Sequence, residues 1–151
     1  MSVNRPILLC MAEAYFGEVH GFPPGSHFDS RKAAGKAKVH RPYMQGICGT
    51  GVTGAESIVL NDGYEDDQGF GDEIRYTGHG GQVNGKQTAD QTFEDSGNAA
   101  LVTSQQTGMP VRVIRGFKGN PKLSPKAGYR YDGLYRVAEH WQDQGISGYK
   151  M

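Results

Sequence analysis

The run from Asn61 to Gln82, NDGYEDDQGFGDEIRYTGHGGQ, gathers the residue types that a pocket for a flat ligand needs. Tyr64 and Tyr76 supply two aromatic faces, and Glu65, Asp66 and Asp67 place carboxylates directly after the first of them. Gly78, Gly80 and Gly81 let the backbone adopt positive φ or come close to a bound molecule. A nucleobase is the flat ligand that suits this set. Cytosine presents an N4 amino donor, which an ionised carboxylate accepts, whereas thymine presents an O4 acceptor that the same carboxylate repels. Asp67 is therefore the candidate for selecting cytosine. A base stacked inside a duplex cannot be held on both faces, so the nucleotide must leave the helix at a cost of about a few kcal/mol. Two plainer readings stand beside this one: a solvated acidic loop flanking half-buried strand tyrosines, and a calcium loop. The cluster lacks the alternating Asp/Asn ladder and terminal Glu that a calcium-binding helix-loop-helix requires.

The elements that would position this run can be read on either side of it. Glu56 to Leu60 is too apolar to face water on both sides and reads as a strand ended by Asn61, Asp62 and Gly63. Ile74 to Thr77 reads as a short strand, and Gln82 to Gln87 as a loop turning at Asn84-Gly85. Thr88 to Gln91 reads as a helix start, and Asn98 to Gln106 as a helix capped by Ser96, stopped by Gly108 and packed as a lid on the sheet. Val111, Val113 and Phe117 alternate with Arg112, which predicts a strand whose polar side reaches phosphate. A basic, proline-containing loop follows from Gly116 to Lys126, and Tyr131 to Gln142 closes the chain as a strand pair or one long strand. Upstream, Phe16 to Phe28 is broken by glycines and prolines into an extended loop, and Lys38 to Gly49 begins as a strand with Pro42 marking an edge or bend. Met44 lies just past that bend, where core packing is the plain reading for a methionine.

With 151 residues the chain makes one domain, able to bury about two-thirds of its unfolded surface. Its 23 glycines and 36% hydrophobic residues point to a strand- and loop-rich protein, and no segment has the length of a membrane span. The net charge is zero, which by itself argues against nucleic acid, but the charges are segregated. Arg31, Lys32, Lys36, Lys38 and Arg41 form one basic stretch, and Arg112, Arg115, Lys118, Lys122, Lys126 and Arg130 form a second. Acids concentrate between Glu56 and Asp95. If the basic stretches share a face they can contact phosphates while the acidic middle lies in the pocket; otherwise they are solvated loops. Cys10 and Cys48 are too few and too far apart for a zinc site, so no metal or cofactor is expected. The short apolar run Ile7 to Ala12 falls short of a signal-peptide core, which places the chain inside the cell.

Three segments, VHRPYMQGICG (Val39 to Gly49), NDGYEDDQGFGDEIRYTGHGG (Asn61 to Gly81) and RYDGLYRVAEHW (Arg130 to Trp141), closely resemble the SRA domain in this order and spacing. That family is also named YDG, after the signature that stands here as Tyr131-Asp132-Gly133. The resemblance runs from about Phe16 to Tyr149, with residues 1–15 as a lead-in and 16–151 as the domain. It implies an α+β, mainly β architecture, a twisted PUA-like β-barrel with flanking helices. It also implies binding to double-stranded DNA that carries 5-methylcytosine or 5-hydroxymethylcytosine, with the modified base flipped into a pocket. By the resemblance, Tyr64 and Tyr76 stack on the base, Asp67 binds its Watson-Crick edge, and the backbone near Gly63, Thr77 and Gly78 completes the hydrogen bonds. Met44 matches the loop residue that fills the vacated stack. Lys86 and Gln87 belong to a finger loop in the other groove, with Gln87 where vertebrate members carry arginine. Arg31, Lys36, Lys38, Arg41, Arg112, Arg115 and Lys118 are the phosphate-contact candidates.

His79 stands where vertebrate members have a small serine beside the 5-substituent, so an imidazole hydrogen-bonds a hydroxymethyl group, narrows the space for any substituent, or points away. Bacterial relatives of this type often carry an HNH nuclease after the domain, which implies a targeting role in modification-dependent restriction and a cytoplasmic, nucleoid-associated location. Two other function classes stay open. One is an enzyme acting on the flipped base, with Asp67 as general base, although the zinc-deaminase signature H-x-E followed by P-C-x-x-C is absent. The other is a PUA-like RNA-binding module.

Overall fold

The structure is a computed structural model and describes residues 14–61, 68–69, 73–78, 82–83, 86–87, 90–93, 95–119 and 121–142. Its framework is a five-stranded sheet ordered β1 (His27–Phe28), β9 (Tyr129–Tyr135), β8 (Val111–Gly116), β3 (Gly54–Leu60) and β2 (Ile47–Thr50). Neighbours run antiparallel except β3 and β8, which are parallel in the register Leu60↔Arg115. A parallel pair needs a crossover connection, and here the crossover holds the whole pocket run. Within it lie two short antiparallel pairs, β4 (Gln68–Gly69) with β5 (Ile74–Arg75) and β6 (Gln82–Val83) with β7 (Lys86–Gln87). Among the described residues the sheet is open, with β1 and β2 at its two edges, rather than closed into the expected barrel.

Every residue of β3 and β8 is buried, because both faces of the sheet are covered. Phe28, Ala34, Val39, Val59, Ile114 and Tyr131 form the core on one face. Ile47, Ala55, Ile58, Ala100, Val111 and Val113 form the other, beneath helix α2 (Ser96–Thr107). The α2 helix is the expected lid, with its cap one residue earlier than Ser96. Asp95 Oδ1 accepts from the Gly97 and Asn98 amides at 2.9 and 3.2 Å, and Gly108, at φ 71°, ends it in the left-handed region.

Helix α1 (Arg31–Lys36) occupies the first basic stretch and was not expected. Its one sequence signal is Ser30, whose Oγ accepts from the Ala33 amide at 3.1 Å. The strand expected from Lys38 starts only at Ile47, and the final strand stops at Tyr135. No helix is assigned at Asp90–Gln91, and Thr88 lies outside the described residues. Cys48 is buried, and its Sγ lies 3.6 Å from Glu56 Oε2.

Two bulges interrupt this sheet, and each re-aims an acidic side chain. Pairing of β2 with β3 steps from Cys48↔Ser57 to Gly49↔Ala55, leaving Glu56 as the extra residue. Pairing of β8 with β9 steps from Val113↔Gly133 to Ile114↔Tyr131, leaving Asp132 as the extra residue.

Candidate functional site

Tyr76, Thr77 and Gly78 follow β5 and enter a concavity of about 750 Å³ between β3, β8, α2 and residues 135–142. Tyr76 packs half-buried against the core under α2, and Thr77 is buried. Gly78 is clamped by two side chains that sequence reasoning did not assign to the site. Gln91 Nε2 donates to the Gly78 carbonyl at 2.5 Å, and a Cβ at this position would stand 2.4 Å from Asn98 Oδ1. Asn98 is itself fixed by donating to the Thr92 carbonyl at 2.8 Å. The spacing of Gln91 and Asn98 carries no motif, so only the packing of α2 reveals them. Gly63, Tyr64, Asp67 and His79 lie outside the described residues, and of the β6-β7 hairpin only the backbone pairing of Lys86 and Gln87 is described.

Residues 41–46 form a loop beside this strand, and its tip projects into solvent. Met44 is 90% exposed and Tyr43 53%, so the plain reading of Met44 as a core residue does not hold. The base of the loop is rigidly held. Arg31 Nη2 donates to the carbonyls of Pro42, at 3.1 Å, and Gln45. Buried His40 sits between Gln45 O at 2.8 Å and Ser57 Oγ at 2.7 Å. A carbonyl can only accept, so His40 Nε2 carries the proton toward Gln45. The next carbonyl, Gly46, accepts from the Val59 amide at 2.8 Å and from the Tyr76 hydroxyl at 3.2 Å. Four donors on two consecutive carbonyls thus tie the apolar tip to β3 and to the pocket tyrosine.

The phosphate candidates divide by exposure. Lys36, Lys38 and Lys118 are exposed, and Arg31 is half-buried at the foot of the loop. Burial lowers the Arg31 guanidinium below its ordinary value, opposed by the nearby Tyr129 and Tyr76. Arg41 is committed to Glu56, with Nη2 2.5 Å from Oε2. Arg112 and Arg115 require correction: they are 0% and 3% exposed and reach no phosphate. The strand was expected to show its polar side to water, but β8 is a central strand with both faces covered. Arg112 instead donates to the carbonyls of Val39, Tyr15 and Gly17 at 2.9, 2.6 and 2.9 Å and lies 3.8 Å from Glu56. Desolvation lowers its affinity for the proton, and Glu56 opposes that. Arg115 Nε lies 2.6 Å from Asp132.

The Tyr129 ring stands edge-on to that of Phe117, with centroids 6.2 Å apart.

The Tyr131-Asp132-Gly133 signature does not line the concavity. Tyr131 is fully buried and donates from its hydroxyl to Glu18 Oε1 at 2.7 Å. Burial, then that hydrogen bond, push its pKa well above the ordinary tyrosine value. Asp132 bridges Arg115 and Arg130, whose Nε donates at 2.5 Å, and Gly133 at φ 106° allows the turn past the bulge. The signature therefore builds the sheet that carries the site. No helix among the described residues is long and apolar enough to cross a membrane, and they contain no cluster of three or more metal-ligating side chains.

A family model described as the SAD/SRA domain matches residues 15–151. A UHRF1-like protein of Cryptococcus neoformans var. grubii is 42% identical over 144 residues, spanning 87% of this chain and 42% of that protein. The chain thus spans less than half the length of this curated relative. Among solved structures, the modification-dependent TagI restriction endonuclease superposes with a TM-score of 0.87 at 50% identity, covering 89% of this chain and 49% of that one. The SUVH5 SRA domain bound to fully hydroxymethylated CG DNA superposes with a TM-score of 0.74 at 37% identity, covering 90% of this chain and 88% of that one.

Proposed function

Because the chain belongs to the SAD/SRA domain family, we propose that it binds double-stranded DNA containing 5-methylcytosine or 5-hydroxymethylcytosine and holds the modified base outside the helix. The observation that carries this reading is the Met44 loop: an apolar tip, 90% exposed, on a base tied through Gly46 to the hydroxyl of Tyr76. An unbranched apolar side chain entering the stack fills the gap a departing base leaves, and the bond to Tyr76 keeps wedge and pocket in one frame. In this reading Tyr64 and Tyr76 stack on the base, Asp67 accepts from its N4 amino group, and the backbone at Gly63, Thr77 and Gly78 completes the edge. His79 faces the 5-substituent. Lys86 and Gln87 enter the opposite groove, and Lys36, Lys38 and Lys118 contact phosphate.

Stacking is worth roughly 1–3 kcal/mol per base in single-strand binders, so two aromatic faces can offset the flipping cost. The likeness to TagI supports a wider assignment, as the targeting domain of a bacterial modification-dependent restriction system with an HNH nuclease in the same chain, acting in the cytoplasm on the nucleoid.

One titration tests the core of this. Fluorescence anisotropy on a single duplex, with one cytosine bare, 5-methylated or 5-hydroxymethylated, should show tighter binding to at least one modified form at fixed salt. Three coincident curves would remove the function.

A further inference from the structure

We propose that residues 117–119 and 121–126 form a second DNA contact, gripping the sugar-phosphate backbone next to the flipped nucleotide. This rests on the reading of the domain as a DNA binder and assigns a surface outside the base pocket. The segment reads FKGNPKLSPK, three lysines with no acid. Phe117 is 45% exposed, yet its ring is fixed edge-on against Tyr129 at 6.2 Å. Lys118 Nζ lies 5.8 Å from the centroid of that ring, which sets an ammonium beside an exposed apolar face. A phosphate takes the ammonium, and the adjoining deoxyribose takes the ring.

The placement of this pair follows from the parallel strands. With Leu60 opposite Arg115, Asn61 emerges beside Gly116, and a Cβ at Gly116 would stand 2.2 Å from Asn61 Oδ1. Glycine at 116 therefore lets the Asn61 side chain reach across, where it accepts from the Lys118 amide at 2.9 Å. The Gly119 amide donates back to the Gly116 carbonyl at 3.3 Å and closes the turn. Asn61 is also the residue at which the pocket run begins, so one side chain joins the start of the pocket to Lys118. Asn61 is thus a positioning residue, and Phe117 and Lys118 make the contact.

The test is the salt dependence of binding to the methylated duplex for wild type, Lys118→Ala, Asn61→Ala and the double variant. A lost phosphate contact lowers the slope of log K against log salt by about 0.9. That drop is expected in each single variant, with no further drop in the double one and no change in the ratio of methylated to unmodified affinity. Phe117→Ala should weaken binding without altering the slope. On a duplex cut short beside the modified cytosine, the variants should approach wild type. A wild-type slope in Lys118→Ala, and again in the combined Lys118→Ala, Lys122→Ala, Lys126→Ala variant, would overturn the proposal. Should wild type fail to prefer the methylated duplex, the proposed function falls, while the slopes on unmodified duplex still decide this contact.

Discussion

Glu56 and Asp132 stand in the same relation to the central strand β8: each is the extra residue of a bulge on a neighbouring strand, and each faces a buried arginine of β8. Glu56 lies 3.8 Å from Arg112 and Asp132 lies 2.6 Å from Arg115. In both cases the extra residue of a bulge supplies the carboxylate beside a cation buried in the sheet. Removing one partner of a buried ion pair costs about 3–5 kcal/mol, because the other charge stays buried. Glu56→Gln should therefore lower the urea midpoint strongly. Asp132→Asn should lower it less, since Asp132 is partly exposed and Arg130, a third exposed, shares it. In the folded fraction of both variants the preference for modified DNA should persist; its selective loss would place these acids in the binding site after all.

Tyr131 makes stability depend on alkaline pH. Its folded-state pKa is raised, so the folded protein keeps a proton that the unfolded chain releases above the ordinary tyrosine value of about 10. The unfolded state then binds fewer protons, and stability falls as pH rises, by about 1.4 kcal/mol per pH unit until the folded-state pKa is reached. Below pH ~10 this contribution is fully present. Tyr131→Phe loses the bond to Glu18 at every pH but removes this slope. Melting curves from neutral pH to pH ~11 should converge for the two proteins as pH rises; curves that stay parallel would contradict the assignment.

How far the sequence reveals this molecule depends on whether a residue's role is local. The β3 strand, α2 and its Gly108 stop follow from apolar patterning and capping within a few residues, and the structure has all three. Burial of Arg112 and Arg115 is not local. It depends on β9 and β3 lying on either side of β8, and alternation with valines looks the same for an arginine facing water. The clamp of Gln91 and Asn98 on Gly78 likewise joins segments whose sequence spacing says nothing of their meeting. Met44 shows the converse: its exposed tip has no pattern of its own, and resemblance rather than periodicity pointed to it.

Tyr76→Phe isolates the bond between pocket and wedge. The ring and its packing remain, and only the hydroxyl that donates to Gly46 is lost. A hydrogen bond is worth about 0.5–1.5 kcal/mol net, so affinity for the modified duplex should fall by about twofold to thirteenfold. Met44→Ala should weaken the same complex while leaving the melting temperature nearly unchanged, because the side chain is almost wholly exposed. If the hydroxyl acts by holding the wedge, the two losses will not add: Tyr76→Phe should do little in the Met44→Ala background. Additive losses would mean that the hydroxyl serves the pocket independently of the loop.

The base-reading and phosphate-reading roles separate in one comparison at a single salt concentration. Asp67→Ala removes the proposed acceptor for the cytosine N4 amino group, and a mismatch in a hydrogen-bonded base contact costs about 1–3 kcal/mol. Its loss should fall on modified DNA and leave weak binding to unmodified DNA intact, closing the gap between the two. Lys36→Ala removes an exposed cation from α1 and should weaken both duplexes alike, with a salt slope lower by about 0.9. Phosphates are the same on every duplex, so a lysine that binds them cannot discriminate, whereas a carboxylate at the base edge acts only when a base has entered. Equal losses on both duplexes for Asp67→Ala would put that carboxylate outside the pocket and leave the preference for cytosine without its proposed source.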